Sequence, residues 1–324
     1  MTHSLDAIAE VAPATFESAR TTRYRSEEQA IPLADFGAEQ GDVIVLLYEF
    51  LRELAAIVGD ERSSNDPAAL TSFLAQRDVN GLLERLRRLR ADGRDGRVVD
   101  ALHDIRGGAT TALFATLWKL GRGAYRPEMS RALSIYARDH MKMMRNVVLG
   151  LDPAARERDL SAVPHSLDDL TRALRDFTAR SGERELLVDV TVVGEAVIAD
   201  SCVECAAIDR AAYNLLNNAV RYTDDVTVSS SLVVLENDLR VAVANSISAS
   251  QRTVLSELLA REPTALFGSF TTSGSGRGLR IVSELVGRAY GITSTETLMS
   301  GGYLGAKVID DGFVGWFHWP LAGA

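Results

Sequence analysis

Three glycines at alternate positions, Gly274, Gly276 and Gly278, run directly into a helical pattern whose apolar stripe is Leu279, Val282, Leu285 and Val286. A glycine run that opens a helix lets backbone N–H groups close on an anion, and the helix dipole adds favourable potential at the same place. The chemistry this spacing offers is a phosphate seat. A dinucleotide turn would need GxGxxG directly after a buried strand. The spacing here is GxGxG, and the preceding residues Phe267 to Thr272 do not read as a strand. A Walker loop would need Gly-Lys-Ser/Thr, which is absent from the run.

A second set of polar residues lies upstream, on a helical pattern near residue 215. Ile208, Ala212, Leu215 and Ala219 form its apolar stripe, while Arg210, Asn214 and Asn218 repeat every four residues on another face, followed by Arg221 and Tyr222. Asparagines that face a cleft need hydrogen-bond partners, and a nucleoside triphosphate with Mg²⁺ would supply them. Cys202 and Cys205, the two cysteines of the chain, stand in a C-x-x-C spacing. Two thiolates cannot complete a tetrahedral zinc shell, and no histidine is close in sequence, so they read as two reduced thiols on a helix.

The 324 residues that must position these groups carry a net charge of -9 and are 46% hydrophobic, enough for two or three folded domains. An acidic balance argues against a general nucleic-acid or anionic-membrane surface. The cluster Arg85, Arg87, Arg88, Arg90 and Arg94 is local and reads as a solvated helix face. No apolar run reaches the ~20 residues of a bilayer span, and the first residues lack the basic and apolar segments of a secretion signal. The expected location is cytoplasmic.

Four segments follow from the patterning. Residues 1–40 are polar and without period, and are expected to be a poorly ordered arm or one short helix. Residues 41–92 read as a helical module, one helix from Val43 to Gly59 and a second stretch from Pro67 to Arg90. Residues 93–160 read as a two-helix hairpin, one helix running from Val98 to Leu120 and the other from Met129 to Val148. Its wide apolar stripe is best buried by a second copy, giving a four-helix dimer. Asp152 to Pro164 reads as a linker. Residues 161–324 turn α+β: helices near Leu167–Arg180 and Val203–Arg221, and strands at Leu186–Val193, Val226–Leu235, Leu239–Ala244, Ile292–Leu298, Ala306–Ile309 and Phe313–Trp319.

In this order the motifs resemble those of bacterial two-component sensor histidine kinases. His103-Asp104-Ile105-Arg106 resembles the H box, Asn214 to Thr223 the N box, Phe267 and Phe270 the F box, and Gly274 to Leu279 the second glycine box. The likeness covers roughly residues 95 to 320. It implies a dimerisation and phosphotransfer hairpin followed by an α/β-sandwich of the GHKL (Bergerat) type that binds ATP, a homodimer, and a response-regulator receiver domain as partner. It further implies His103 as phosphoacceptor, Asn218 as the Mg²⁺ ligand, Asn214 and Arg221 near the phosphates, Tyr222 near the nucleotide, and Gly274, Gly276 and Gly278 wrapped around the phosphates. A neutral imidazole nitrogen is a competent nucleophile near pH 7, and Asp104 beside it can orient the ring. His140 and His165 are rival acceptors. His140 fits an apolar register and His165 lies by a proline, so His103 is preferred.

Two places depart from the family pattern. The first glycine box, where an aspartate accepts from the adenine amino group, is replaced by Val241 to Ser248, with Asn245 at the acceptor position and both glycines gone. An amide oxygen in place of a carboxylate weakens such a contact by roughly 1–2 kcal/mol. Gly107-Gly108 replaces the Thr-Pro that follows the family's acceptor histidine. The residue that activates water for dephosphorylating the partner is therefore missing, and weak or absent phosphatase activity is expected. Two alternatives to a kinase stay open: a histidine phosphotransferase with a degenerate nucleotide domain that relays phosphate without ATP, and a non-catalytic ATP-binding scaffold.

Overall fold

In a computed structural model of the chain, the described residues are 30–59, 67–89, 96–107, 109–123, 125, 127–175, 179–181, 184–268, 278–310 and 312–322. They form two compact units, one ending at Ser161 and the other beginning at Ala162.

The first unit is helical. Strand β1 (Ile31–Pro32) leads through a 3-10 turn at Leu33–Asp35 into α1 (Ala38–Val58), α2 (Pro67–Ala75) and α3 (Val79–Arg88). Then come α4 (Gly96–Arg106), α5 (Ala109–Leu120), α6 (Pro127–Val147), β2 (Val148–Leu149) and α7 (Pro153–Leu160). One apolar core joins them. Val43, Leu47, Leu51 and Leu54 of α1 bury together with Leu102 and Ile105 of α4, Leu113 and Leu117 of α5, and Leu133 and Met144 of α6. The helical module and the hairpin are thus one unit, not two. The hairpin stripe assigned above to a second copy is covered within the chain by α1, because α1 is long enough to span α6 and carries apolar residues at the matching helical period.

Several boundaries differ from the expectation, each for a local reason. Residues 31–40, expected in a loose arm, are ordered: Ile31 and Phe36 are buried in the helical core and Ile31–Pro32 pairs in parallel with Val148–Leu149. The stretch from Pro67 is two helices, since the Asp78 side chain accepts from the Gly81 backbone N–H at 2.7 Å and starts α3. Arg85, Arg87 and Arg88 are exposed on α3 as expected, while Arg90 and Arg94 lie outside the described residues. The long helix through residue 120 is interrupted at Gly107, whose N–H bonds back to the His103 and Asp104 carbonyls. The expected linker is α7. Asp152 caps it by accepting from Ala155 N at 3.0 Å and Pro153 takes the first helical position.

A buried polar network closes α7 onto this unit. Arg145 of α6 donates through Nε to Asp159 of α7 at 2.5 Å and through Nη1 to the Tyr48 hydroxyl at 2.9 Å. Tyr48 in turn donates to Asp152 at 2.8 Å.

The second unit is α+β. It comprises β3 (Ala162–Ser166), α8 (Leu167–Arg175), β4 (Ala179–Ser181), β5 (Arg184–Val193), β6 (Val197–Ser201) and α9 (Cys202–Tyr222). These are followed by β7 (Thr227–Val234), β8 (Asp238–Ser246), α10 (Ala249–Arg261), α11 (Pro263–Leu266), α12 (Gly278–Tyr290), α13 (Thr295–Ser300), β9 (Leu304–Ile309) and β10 (Gly312–Pro320). Six strands form one mixed sheet in the order β4-β5-β7-β8-β10-β9, and β3 pairs with β6 in a separate ladder. Only the β5–β7 pairing in the large sheet is parallel. It requires a crossover, and β6 with α9 makes it. The core lies between the sheet and α8, α9 and α12, with Ile208, Leu215 and Leu216 of α9, Val282 and Leu285 of α12, and Leu232, Val241, Phe317 and Trp319 of the sheet among its buried members.

Two expectations fail here, and one helix was not anticipated. Ile292–Leu298 is not a strand: Gly291 takes a positive φ of 71° to end α12, and Ser294 then caps α13 by accepting from Thr297 N at 3.2 Å. The helix from Leu167 stops at Arg175, and Ala179–Ser181 joins the sheet. Residues 249–261, unassigned above, are helical behind a capping box of Ser248 and Gln251.

Candidate functional site

The two asparagines and the last glycine meet in the second unit. Helix α9 presents Ala211, Ala212, Leu215, Leu216, Ala219 and Val220 to the core, which leaves Asn214 and Asn218 half-buried along the adjoining face and Asn217 exposed. Against that face stands the first residue of α12. A Cβ built on Gly278 would lie 3.1 Å from Asn218 Nδ2 and 3.2 Å from Asn214 Oδ1. A side chain at this position would press on both amides, so glycine suits the close approach of the α12 N-terminus. The Asn214 amide nitrogen donates to the Arg210 carbonyl at 2.8 Å, which turns its oxygen outward along the helix face.

The result is a helix N-terminus facing two side-chain amides. That surface can take negatively charged oxygens from one side and a hard cation from the other. Gly274, Gly276 and Phe270 lie outside the described residues; Phe267, next to them, is buried in the core.

The remaining expected residues cluster at the C-terminal end of α9. Arg221 is exposed, with its guanidinium 5.7 Å from the centre of the Tyr222 ring. Gln251 of α10 donates to the Tyr222 carbonyl at 3.2 Å, and Asp224 N bonds to Ser246 O at the end of β8. These bonds bring Asn245 to the same end of α9. The Asn245 side chain, however, is 2% exposed and its amide nitrogen donates to Ser246 O at 3.0 Å. It is built into the end of the interior strand β8 rather than offered to a cleft.

His103 belongs to the helical unit, on α4. Its side chain is 29% exposed, with Nδ1 turned inward, which leaves Nε2 as the ring nitrogen able to face solvent. Asp104 is nearly buried, and its carboxylate lies 3.7 Å from His103 Nδ1. That separation is too long for a hydrogen bond, so Asp104 acts on the ring as a nearby negative charge and not as the bonded orienter expected from the sequence.

The rival histidines are placed differently. His140 is buried under α4 and α5. The Thr110 hydroxyl donates to the Ile105 carbonyl at 3.0 Å and receives the His140 ring, whose Nε2 is 2.7 Å away. Burial pushes His140 down to about 4, so it is neutral at pH 7 and closed to a reagent. His165 packs against Cys202 and Asp169. His318, fully buried in β10, is pushed down to about 3 by burial and then by the Arg240 charge across the strand pair. Among the described histidines, His103 is the most exposed.

No protein-family model matches the chain, and no curated protein matches it. Among solved structures it is similar to full-length ShkA in complex with AMPPNP, at 18% identity and TM-score 0.38 over 80% of this chain; the match spans 46% of the ShkA chain. It is similar to the Acinetobacter baumannii histidine kinase AdeS at 15% identity and TM-score 0.35, over 68% of this chain and 98% of that one. It is also similar to the histidine kinase domain of the E. coli osmosensor EnvZ at 19% identity and TM-score 0.30, over 51% of this chain and 94% of that one. Likeness this distant carries no argument about this chain, and its chemistry must be read from its own side chains. Among the described residues, no helix is long and apolar enough to cross a membrane.

Proposed function

We propose that the chain is a histidine kinase of a two-component system, which autophosphorylates His103 from ATP and passes the phosphoryl group to an aspartate of a response-regulator receiver domain. One observation carries this: the close approach of Gly278 to Asn214 and Asn218, residues far apart in sequence and drawn together at a helix N-terminus. Among the described residues, no group of three or more His, Cys, Asp or Glu could hold a metal ion. A cation here would rest on the Asn218 amide oxygen, completing its shell with phosphate oxygens and water, as Mg²⁺ does at nucleotide sites. Mg²⁺ so held would neutralise charge on the transferred phosphoryl group.

The chain's own groups divide the remaining work. The α12 N-terminus and Asn214 hold and orient the phosphates, the exposed Arg221 supplies positive charge near them, and the Tyr222 ring lies beside the nucleotide. His103 Nε2 attacks as the neutral imidazole, and the Asp104 carboxylate stabilises the positive ring that results. Homodimerisation belongs to the same reading, with Val45 and Leu46 of α1 and Trp118 of α5 as apolar side chains left exposed on the helical unit. Burial of Asn245 is the observation that favours the relay alternative, because an adenine contact through its side chain would need that side chain to turn outward.

Calorimetric titration with ATP and Mg²⁺ tests the nucleotide site. We expect saturable binding in the wild type and at least a tenfold loss in Asn218→Ala. Absence of binding in the wild type would leave the relay as the account of His103.

A further inference from the structure

The two cysteines of α9 are not equivalent. Cys205 is buried in the core, whereas Cys202 is partly exposed at the first helical position, directly after the N-cap Ser201. Cys202 Sγ lies 3.3 Å from Nε2 of His165 on β3. The other ring nitrogen of His165, Nδ1, lies 3.5 Å from the carboxylate of Asp169 on α8. The antiparallel pairing of β3 with β6 sets this register, His165 standing opposite Ala199, three residues before Cys202. Three elements thus deliver a thiol, a ring nitrogen within hydrogen-bond reach of it, and a carboxylate on the far side of the ring. None of the three belongs to the nucleotide site or to His103.

We propose that Cys202 is a thiol-modification site activated by His165, and that its reagents are small disulfides. With the Asp169 carboxylate 3.5 Å from Nδ1 and favouring the ring proton on that side, the Nε2 lone pair faces Sγ and accepts the thiol proton. The thiolate attacks one sulfur of the disulfide R–S–S–R. The Cys202 S–SR bond forms, the R–S–S–R bond breaks, and the departing RS⁻ takes the proton from His165 and leaves as RSH. Cys202 is oxidised to the mixed disulfide as one half of the reagent is reduced, so no further oxidant is needed. Asp169 is a positioning residue, also 3.7 Å from Arg172; the adjoining elements further carry Asp168 and Arg175 on α8, Asp200 on β6, and Glu204, Asp209, Arg210 and Arg221 on α9, Glu204 accepting from Asp200 N at 3.0 Å.

The test is the pseudo-first-order reaction of the full chain with glutathione disulfide and with an aromatic disulfide reagent, the modified cysteine being located by peptide mass. We expect Cys202 to react first and Cys205 to stay unmodified until the chain is unfolded. His165→Gln should slow the reaction at Cys202 about tenfold, and Asp169→Asn, at a half-exposed position, about threefold. The wild-type rate should fall less steeply between pH 8 and pH 6.5 than that of His165→Gln, a difference that a purely structural role for His165 or Asp169 would not produce. Equal rates in wild type and both variants, each with an unchanged circular dichroism spectrum, would overturn the proposal, as would first reaction at Cys205.

Discussion

The two units place their candidate chemistry in opposite ways. In the helical unit the reactive group is one side chain, His103, standing on a helix whose exposed ring edge is the whole of the site. In the α+β unit the site is an apposition of backbone with side chains, Gly278 against Asn214 and Asn218, and no single residue of it is unusual. Both units also bury polar side chains in bonded pairs: Thr110–His140 and Tyr48–Arg145–Asp159 in the helical unit, and Tyr290 donating to Asp238 beside the apolar layers of the α+β unit.

The comparison is broken most severely by substituting Arg145. Arg145→Met should destabilise the helical unit by about 3–5 kcal/mol, because Asp159 would be left buried without its partner. Hydrogen exchange followed by peptide mass would show lost protection across α6 and α7 with α9 and α12 unchanged. Uniform loss in both units would show that they do not unfold separately.

Acid sharpens the contrast. His140 is neutral in the fold and pushed down to about 4, so the unfolded chain takes up a proton first as the pH drops below the ordinary value of 6.5. Its contribution is complete above 6.5 and is lost between 6.5 and about 4, at about 1.4 kcal/mol per pH unit. His140→Gln keeps a donor for Thr110 and should flatten this dependence in α6, while the same trend from His318 persists in β10. An unchanged slope in α6 would contradict the assignment.

Gly278→Val tests the apposed site with a smaller effect. Its side chain would press on both asparagine amides, and ATP affinity should fall about tenfold, or about 1.4 kcal/mol, with protection in α9 and α12 retained. Wild-type affinity in this variant would mean that the α12 N-terminus does not touch the nucleotide.

Much of this organisation was legible in the residues. The apolar periods of α1, α6 and α9 marked those helices, because each buries one continuous face, and the apolar runs of β5, β7 and β10 marked those strands, β10 being buried along nearly its whole length. The breaks were legible too, but lie inside stronger patterns. Asp152-Pro153, Asp78 and Ser294 are helix starts by side-chain chemistry alone, yet each sits within a polar or strand-like stretch. What could not be read was tertiary: that α1 covers the hairpin stripe, that the Asn245 side chain is buried at the end of β8, and that His165 comes to Cys202 through a strand pairing with shifted register. No local period reports a contact between residues 37 positions apart.

The measurement that bears most directly on the proposed kinase is incubation of the full chain with Mg²⁺ and ATP labelled on the γ-phosphate, beside His103→Ala and Asn218→Ala. Acid-labile, base-stable label on the wild type, absent from both variants, is the predicted result. Label that persists in His103→Ala, or a wild type that binds ATP yet never acquires label, would contradict it.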